Sequence, residues 1–299
     1  MTDAKDPVVG DSFKMGFRFQ NYWGTSIATA FFFAEIGAGL FLLSLYLGNL
    51  LGMVLGLLVE GLLKPYFHLA HMGSPKRVLR ALSRPDRAWI SRGSLGFGLM
   101  MAGGVVSVGA HPAVLNLSHP IVMGAAVVGA VGALIVMVYQ GLAMMDSRAI
   151  ALWTSPFLPI ISFCYSITSG CLVLLALGWA GLDAPHRELL RDAAMITLIL
   201  DAVMIGGIIL TARNRSPGGA FSADLLVSGP YARLFHGLVL VVGLLVPLIL
   251  LAAAGHWHFV TVLAALAMLV GFYTFRWLML RAGVYEPVGR GLLESLNLG

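Results

Sequence analysis

Three carboxylic acids interrupt long apolar runs in this sequence: Glu35 in AFFFAEIGAGLFLL, Glu60 in LGLLVEGLL and Asp201 in MITLILDAVMIGG. An ionisable group at the centre of a membrane-spanning helix costs roughly 2.5–3.5 kcal/mol even on the lenient scale. Each acid can serve a proton route or a polar site inside a bundle. Each can equally be a protonated carboxyl bonded to a nearby carbonyl or hydroxyl. His68 closes the apolar run that holds Glu60, where a neutral imidazole near a site opening suits a proton acceptor or hydrogen-bond partner. Tyr139 and Gln140 end a further run, and a phenol beside an amide can hydrogen-bond a carbonyl-type ligand. Tyr is also common as a plain anchor at that level. Glu35 and His68 are the proton-handling candidates; Tyr139 and Gln140 are the ligand-binding ones.

These groups need a scaffold that lives in lipid. Hydrophobic residues make up 59% of the 299-residue chain and charged residues 11%; the mean hydropathy is +0.88. Soluble domains carry about a quarter charged residues, so the class is a polytopic membrane protein. Eight apolar runs reach the ~20 residues a spanning helix needs: 25–48, 50–70, 93–110, 119–141, 156–180, 189–213, 233–254 and 258–280. They are too long for barrel strands and lack alternation, so the fold is all-α. Tight links, GNLLG and AGHWHF, make the first and last pairs antiparallel hairpins; the longest links are 71–92 and 214–232. Glu35 and Asp201 fall about twelve residues, or roughly 18 Å, from one face, near the midplane. Gly48, Gly52 and Gly56, with Glu60 next on the same face, suit close helix contact or room for a ligand.

Charge is concentrated in FHLAHMGSPKRVLRALSRPDRAWISRG, residues 67–93, which holds Lys76, Arg77, Arg80, Arg84, Arg87 and Arg92, six of the 19 Lys and Arg residues. The face gathering this link, both termini and the 142–155 and 214–232 links holds 17 of them; the other holds Arg187 and Arg191. The positive-inside rule makes the rich face, and both termini, cytoplasmic. The same link is a candidate docking surface for an acidic partner.

Other chemistries are disfavoured. No histidine lies mid-span, which argues against a haem held between helices. Cys164 and Cys171 read as packing residues, and no C-x-x-C cluster suggests an iron–sulfur or zinc site in this chain. The N-terminus lacks a short apolar core followed by an A-x-A site, so the first run is expected to stay as a helix. No basic run outside 67–93 is interleaved with aromatics, which sets nucleic acid aside.

Residues 71–100 (HMGSPKRVLRALSRPDRAWISRGSLGFGLM) and 139–170 (YQGLAMMDSRAIALWTSPFLPIISFCYSITSG) resemble the membrane subunits of the NrfD, polysulfide reductase and DMSO reductase anchor family. FFFAEIGAGLFLL (31–43) resembles the family's first helix and FRWLMLRAG (275–283) its last. The resemblance implies eight helices in two four-helix bundles without haem. It implies a quinone (menaquinone or ubiquinone) in the first bundle, near the face that docks a four-cluster ferredoxin-like iron–sulfur subunit. That subunit connects to a molybdenum or tungsten bis-pterin catalytic subunit. In the polysulfide reductase branch a Tyr matching Tyr139 contacts the quinone, together with an Asn and a His at the start of helix one. The corresponding segment here, NYWGTSIATAFFF, contains Asn21 and no His.

The implied organisation is a cytoplasmic segment over 1–22, a quinone-binding bundle over 23–148, a second bundle over 149–281 and a tail over 282–299. The implied function is that of an anchor in a bacterial or archaeal cytoplasmic membrane, in contact with membrane lipid, that exchanges electrons with the quinone pool in anaerobic respiration. Tyr139 and Gln140 would bond the quinone. Lys64 or Arg92 would stabilise negative charge on it, and His68 or Glu35 would accept a proton. The alternatives are a proton-coupled transporter using Glu35, Glu60 and Asp201, and a structural anchor without quinone chemistry.

Overall fold

A computed structural model describes residues 17–71, 84–177 and 179–286. Lys76, Arg77 and Arg80 of the basic link lie outside the described residues. So do most of the 1–22 segment and most of the 282–299 tail.

Among the described residues, nine helices of eight or more residues follow in chain order: α1 (Thr25–Leu47), α2 (Leu50–His71), α3 (Trp89–Ala110), α4 (Pro120–Met145), α5 (Phe157–Leu177), α6 (Ala184–Arg215), α7 (Pro217–Val227), α8 (Ala232–Ala254) and α9 (His258–Arg281). All but α7 are long and apolar enough to cross a membrane. The protein is therefore an all-α, multi-pass membrane protein, as its hydropathy requires. The third span begins at Trp89 rather than residue 93, and the sixth runs from Ala184 to Arg215 rather than 189–213. Polar residues continue these helices past the apolar run.

Local chemistry sets the ends. Gly48 adopts φ +62° and turns the chain out of α1 in the left-handed region that glycine tolerates. Asn49 then caps α2, its side chain accepting from Gly52 N at 2.9 Å. The 214–232 link, expected as a connection, contains α7. Ser216 accepts from Gly219 N at 3.1 Å and Pro217 occupies the first helical position, a start signal placed ahead of an apolar stretch.

One face collects several segments. Strand β1 (Arg18–Phe19) pairs antiparallel with β2 (Val284–Tyr285), Ile150 bridges Tyr285, and Glu286 N donates to Ala149 O at 3.0 Å. Ser216 bonds the Glu286 carboxylate. The Gln20 amide donates to Trp23 O at 2.8 Å and Leu280 O at 2.7 Å, and Trp153 Nε1 donates to Met279 O at 2.7 Å. The N-terminal segment, the α4–α5 link, the α6–α7 junction and the chain after α9 thus share a face.

Helix α1 is central. It packs on α2, α4, α5 and α9, and contributes to both buried cores. The smaller core joins α1 to α2, α3 and α4, around Phe41, Met100 and Met137; the larger joins it to α5, α6, α8 and α9, around Tyr165, Phe272 and Phe275. Backbone contact at Gly39 and Gly170 brings α1 against α5.

Candidate functional site

The acids expected inside the bundle are fully buried, and each has a different partner. Glu60 lies in a π-helical turn, Val59–Leu63, within α2. Such turns widen a helix locally and recur at functional sites. Its carboxylate pairs with the ammonium of Lys64 on the same helix. The Lys64 side chain is only 8% exposed, so the pair sits away from water. Lys64 Nζ lies 4.7 Å from the ring centre of Phe97 on α3 and 5.4 Å from that of Tyr139 on α4. Both are within the range of cation–π attraction, which strengthens out of water.

Tyr139 reaches this position because α3 offers a glycine. A Cβ at Gly93 would overlap the Tyr139 ring. Gln140, also fully buried, has no hydrogen-bond partner for either amide atom among the described residues, although it lies beside the Tyr139 side chain. Glu60 Oε2 is likewise unpartnered. Buried amide and carboxylate atoms are normally bonded, so these atoms and the Tyr139 phenol form a polar patch that suits a hydrogen-bonding ligand. The fit extends to charge, since Lys64 supplies a cation beside it.

His68 sits one turn beyond Lys64 toward the end of α2. Its Nδ1 lies 3.3 Å from Lys64 O and its ring 6.1 Å from that of Phe31. Arg92 points elsewhere. It donates from Nε to Pro85 O at 2.8 Å and from Nη2 to Asp86 O at 3.1 Å, with its guanidinium 4.2 Å from the Trp89 ring centre. It braces the link before α3. The structure therefore brings Lys64, Tyr139 and Gln140 together with Glu60, puts His68 one turn away, and leaves Arg92 apart.

Glu35 belongs to a second cluster. Arg276 of α9 grips it with two donors: Nε bonds Oε2 at 2.9 Å and Nη2 bonds Oε1. Nη2 also donates to Ser162 Oγ of α5 at 2.8 Å. Arg276 is 1% exposed, stands close to the Phe272 and Phe275 rings, and leaves Nη1 unpartnered among the described residues. Farther along α5, the Thr168 hydroxyl donates to Asp201 Oδ2 at 3.0 Å and lies 2.8 Å from Thr197 Oγ1.

Sequence reading missed Arg276 because it stands five residues before the end of α9, where arginines count toward the charged face. Its signal was Glu35 itself, an acid lacking a counter-charge. A helical side chain leans toward its own helix N-terminus. Arg276 is thereby directed deeper than its backbone, to the level of Glu35 on the antiparallel α1.

Among the described residues, no three His, Cys, Asp or Glu side chains gather as a metal ion would require. The family model for polysulphide reductase, NrfD, matches residues 15–287. The chain belongs to the NrfD family. The match takes in all eight membrane-length helices, so both buried clusters are built within the NrfD region. NrfD proteins are membrane subunits of polysulfide reductase-type complexes, which gives this chain a place in redox chemistry, in a family that works with quinones in general. Among curated proteins, none matches the chain.

Proposed function

We propose that this chain is the quinone-reactive membrane subunit of a respiratory oxidoreductase. It would anchor an iron–sulfur subunit and a molybdopterin catalytic subunit and exchange electrons with the membrane pool. The observation that carries the reading is the buried group of Lys64, Glu60, Tyr139 and Gln140, which joins a phenol, an amide with both polar atoms unpartnered and a cation at the junction of α2, α3 and α4.

A quinone bound there supplies two-electron, two-proton chemistry. The chain's residues do the rest. The Tyr139 hydroxyl and Gln140 Nε2 donate to a carbonyl-type oxygen. Lys64 holds positive charge against an oxygen gaining negative charge, in surroundings where such a contact is strong. Glu60 fixes Lys64 in place. His68, nearer the helix end, takes up or passes a proton. Glu35, with both oxygens held by Arg276, serves as a counter-charge rather than a free base in this reading. Arg92 acts by shaping the basic link. That link, on a face proposed to be cytoplasmic with both termini, docks the acidic ferredoxin-like partner. The 23–148 region forms the quinone bundle and 149–281 the second bundle.

The test is to purify the chain with its co-purifying partners and add quinol. Reduction of iron–sulfur clusters in the partner, followed by absorbance, is the expected result. Clusters that ignore quinol would leave a bare anchor. Lack of any iron–sulfur partner would favour a transporter, and a haem Soret band would overturn the reading.

A further inference from the structure

Among the described residues, Arg187 and Arg191 are the only Lys or Arg on the face opposite the β1–β2 pair. Three physical effects oppose their being there. Cations on the poor face run against the positive-inside rule. Arg187 lies in the first turn of α6, where the helix dipole is positive. The two arginines are spaced i, i+4, so their like charges are neighbours.

Both line one cleft of about 130 Å³ between the start of α6, the α8–α9 turn and the turn Trp179–Gly181. Glu188, Trp179 and His256 line it too. The Arg187 guanidinium stands 4.8 Å from the Trp179 ring centre and donates from Nη1 to Trp179 O at 3.4 Å. Arg191 lies across the end of α8, where a Cβ at Gly255 would come within 2.8 Å of its Cδ. It donates from Nε and Nη2 to Asp192 Oδ1 at 3.0 and 2.9 Å, and its side chain is 30% exposed against 58% for Asp192. Each guanidinium has five N–H donors, more than these bonds use. Trp179 and the exposed Trp257 mark the level of a membrane interface.

Two cations with spare donors and one carboxylate in a small interfacial cleft match a ligand that carries a phosphodiester next to an ammonium. We propose that this cleft binds the headgroup of a phosphatidylethanolamine-type lipid from the leaflet on that side. The phosphate lies against Arg187 and Arg191 and the ammonium against Glu188. A bound phosphate also offsets the three unfavourable effects above. A purely anionic lipid would satisfy the arginines but set its charge against Glu188.

The test uses the full chain purified with its partner subunits, delipidated in detergent, with bound lipid read by native mass spectrometry. The probes are dioctanoyl-phosphatidylethanolamine, dioctanoyl-phosphatidylglycerol and free phosphoethanolamine. Saturable binding of phosphatidylethanolamine is expected, about tenfold tighter than phosphatidylglycerol, as one charge-assisted contact gives. Free phosphoethanolamine should not compete at comparable concentration. Arg187→Gln with Arg191→Gln should weaken the lipid about a hundredfold, the loss of two such contacts. Glu188→Lys should reverse the order of the two lipids. The proposal is overturned if the double variant binds as wild type, if wild type does not distinguish the lipids, or if phosphoethanolamine competes equally. Should the double variant not assemble, Glu188→Lys decides: an unchanged lipid order overturns the proposal.

Discussion

Arg276 on the last helix holds Glu35 on the first with two donors, at a depth neither residue shares with water. The same guanidinium reaches Ser162 on α5, so three helices meet on one side chain. Removing one partner of a buried pair leaves an uncompensated charge, whereas removing both leaves only a packing change. Glu35→Gln or Arg276→Met should each lower stability by about 3–5 kcal/mol, and Glu35→Leu combined with Arg276→Met should recover most of it. Heating the detergent-solubilised protein and measuring the fraction still monodisperse checks this. Strictly additive losses in the combined variant would show that the two residues are not coupled.

Tyr139→Phe removes a hydroxyl but keeps the ring that faces Lys64. Packing at Gly93 is unchanged, so the complex should assemble with its partners. A hydrogen bond of net worth about 0.5–1.5 kcal/mol is lost at the proposed site, which slows quinol-dependent cluster reduction by up to about tenfold. Unchanged kinetics would remove Tyr139 from the site.

The architecture was largely legible because a lipid environment leaves few options. Eight apolar runs can only be helices, and short polar links can only make neighbours antiparallel. Capping residues explain what hydropathy missed: Ser216 and Pro217 open α7 inside a segment that length alone reads as a link. Side-chain partners were less legible. Lys64 lies i, i+4 from Glu60, so their pairing is a local fact of helix geometry. Arg276 and Glu35 are separated by 241 positions, and their meeting depends on α9 lying against α1. No periodicity encodes that. Arg92 shows the converse, a residue near the site in sequence that bonds Pro85 O and Asp86 O of its own link.

The face that gathers residues 18–23 and the chain just after α9 is fastened by side chains that are also testable. The Gln20 amide donates to Trp23 O and Leu280 O and accepts from Trp23 N at 2.9 Å, and Trp153 Nε1 donates to Met279 O. Trp23 and Trp153 stack at 5.2 Å between ring centres. Gln20→Ala breaks three bonds and leaves Leu280 O, at the end of α9, without this donor. Leu280 O keeps the Gly283 N–H at 3.3 Å, so the loss is that of ordinary hydrogen bonds, about 0.5–1.5 kcal/mol each. Trp153→Phe takes the indole donor from Met279 O but leaves all three Gln20 bonds, and the smaller ring can still stack on Trp23, so it should loosen the N-terminal segment less. Limited proteolysis should cut the N-terminal segment sooner in Gln20→Ala than in Trp153→Phe; equal rates would refute this ranking.

Lys64→Met separates charge from packing at the proposed site. Alone, it strands the Glu60 carboxylate and should destabilise the protein by about 3–5 kcal/mol. Paired with Glu60→Gln, it leaves no buried charge and should restore most of the stability. Quinol turnover should stay low in the pair, because the cation beside Tyr139 is still missing. If turnover returned with stability, Lys64 would matter only for folding.

The helix contact at Gly39 is a stricter test of the fold. In lipid, helices associate through close packing rather than by hiding apolar surface, and small residues permit the approach. A Cβ at Gly39 would overlap the backbone of Ser166 on α5, and one at Gly170 would press on Gly39 itself. Main chain cannot step aside as a flexible side chain can, so Gly39→Ala must push α1 from α5. Overpacking of this kind costs about 1–3 kcal/mol. Here it also moves Glu35 relative to Ser162 and Arg276, since Glu35 lies one turn from Gly39 on α1. Gly98 on α3 is the control, with nothing within 4 Å of a Cβ placed there. Gly98→Ala should be neutral or stabilise by up to about 1 kcal/mol through helix propensity. The two alanine variants differ only in what the added methyl meets. Equal heat stabilities would mean that α1 and α5 do not approach as closely as the structure places them.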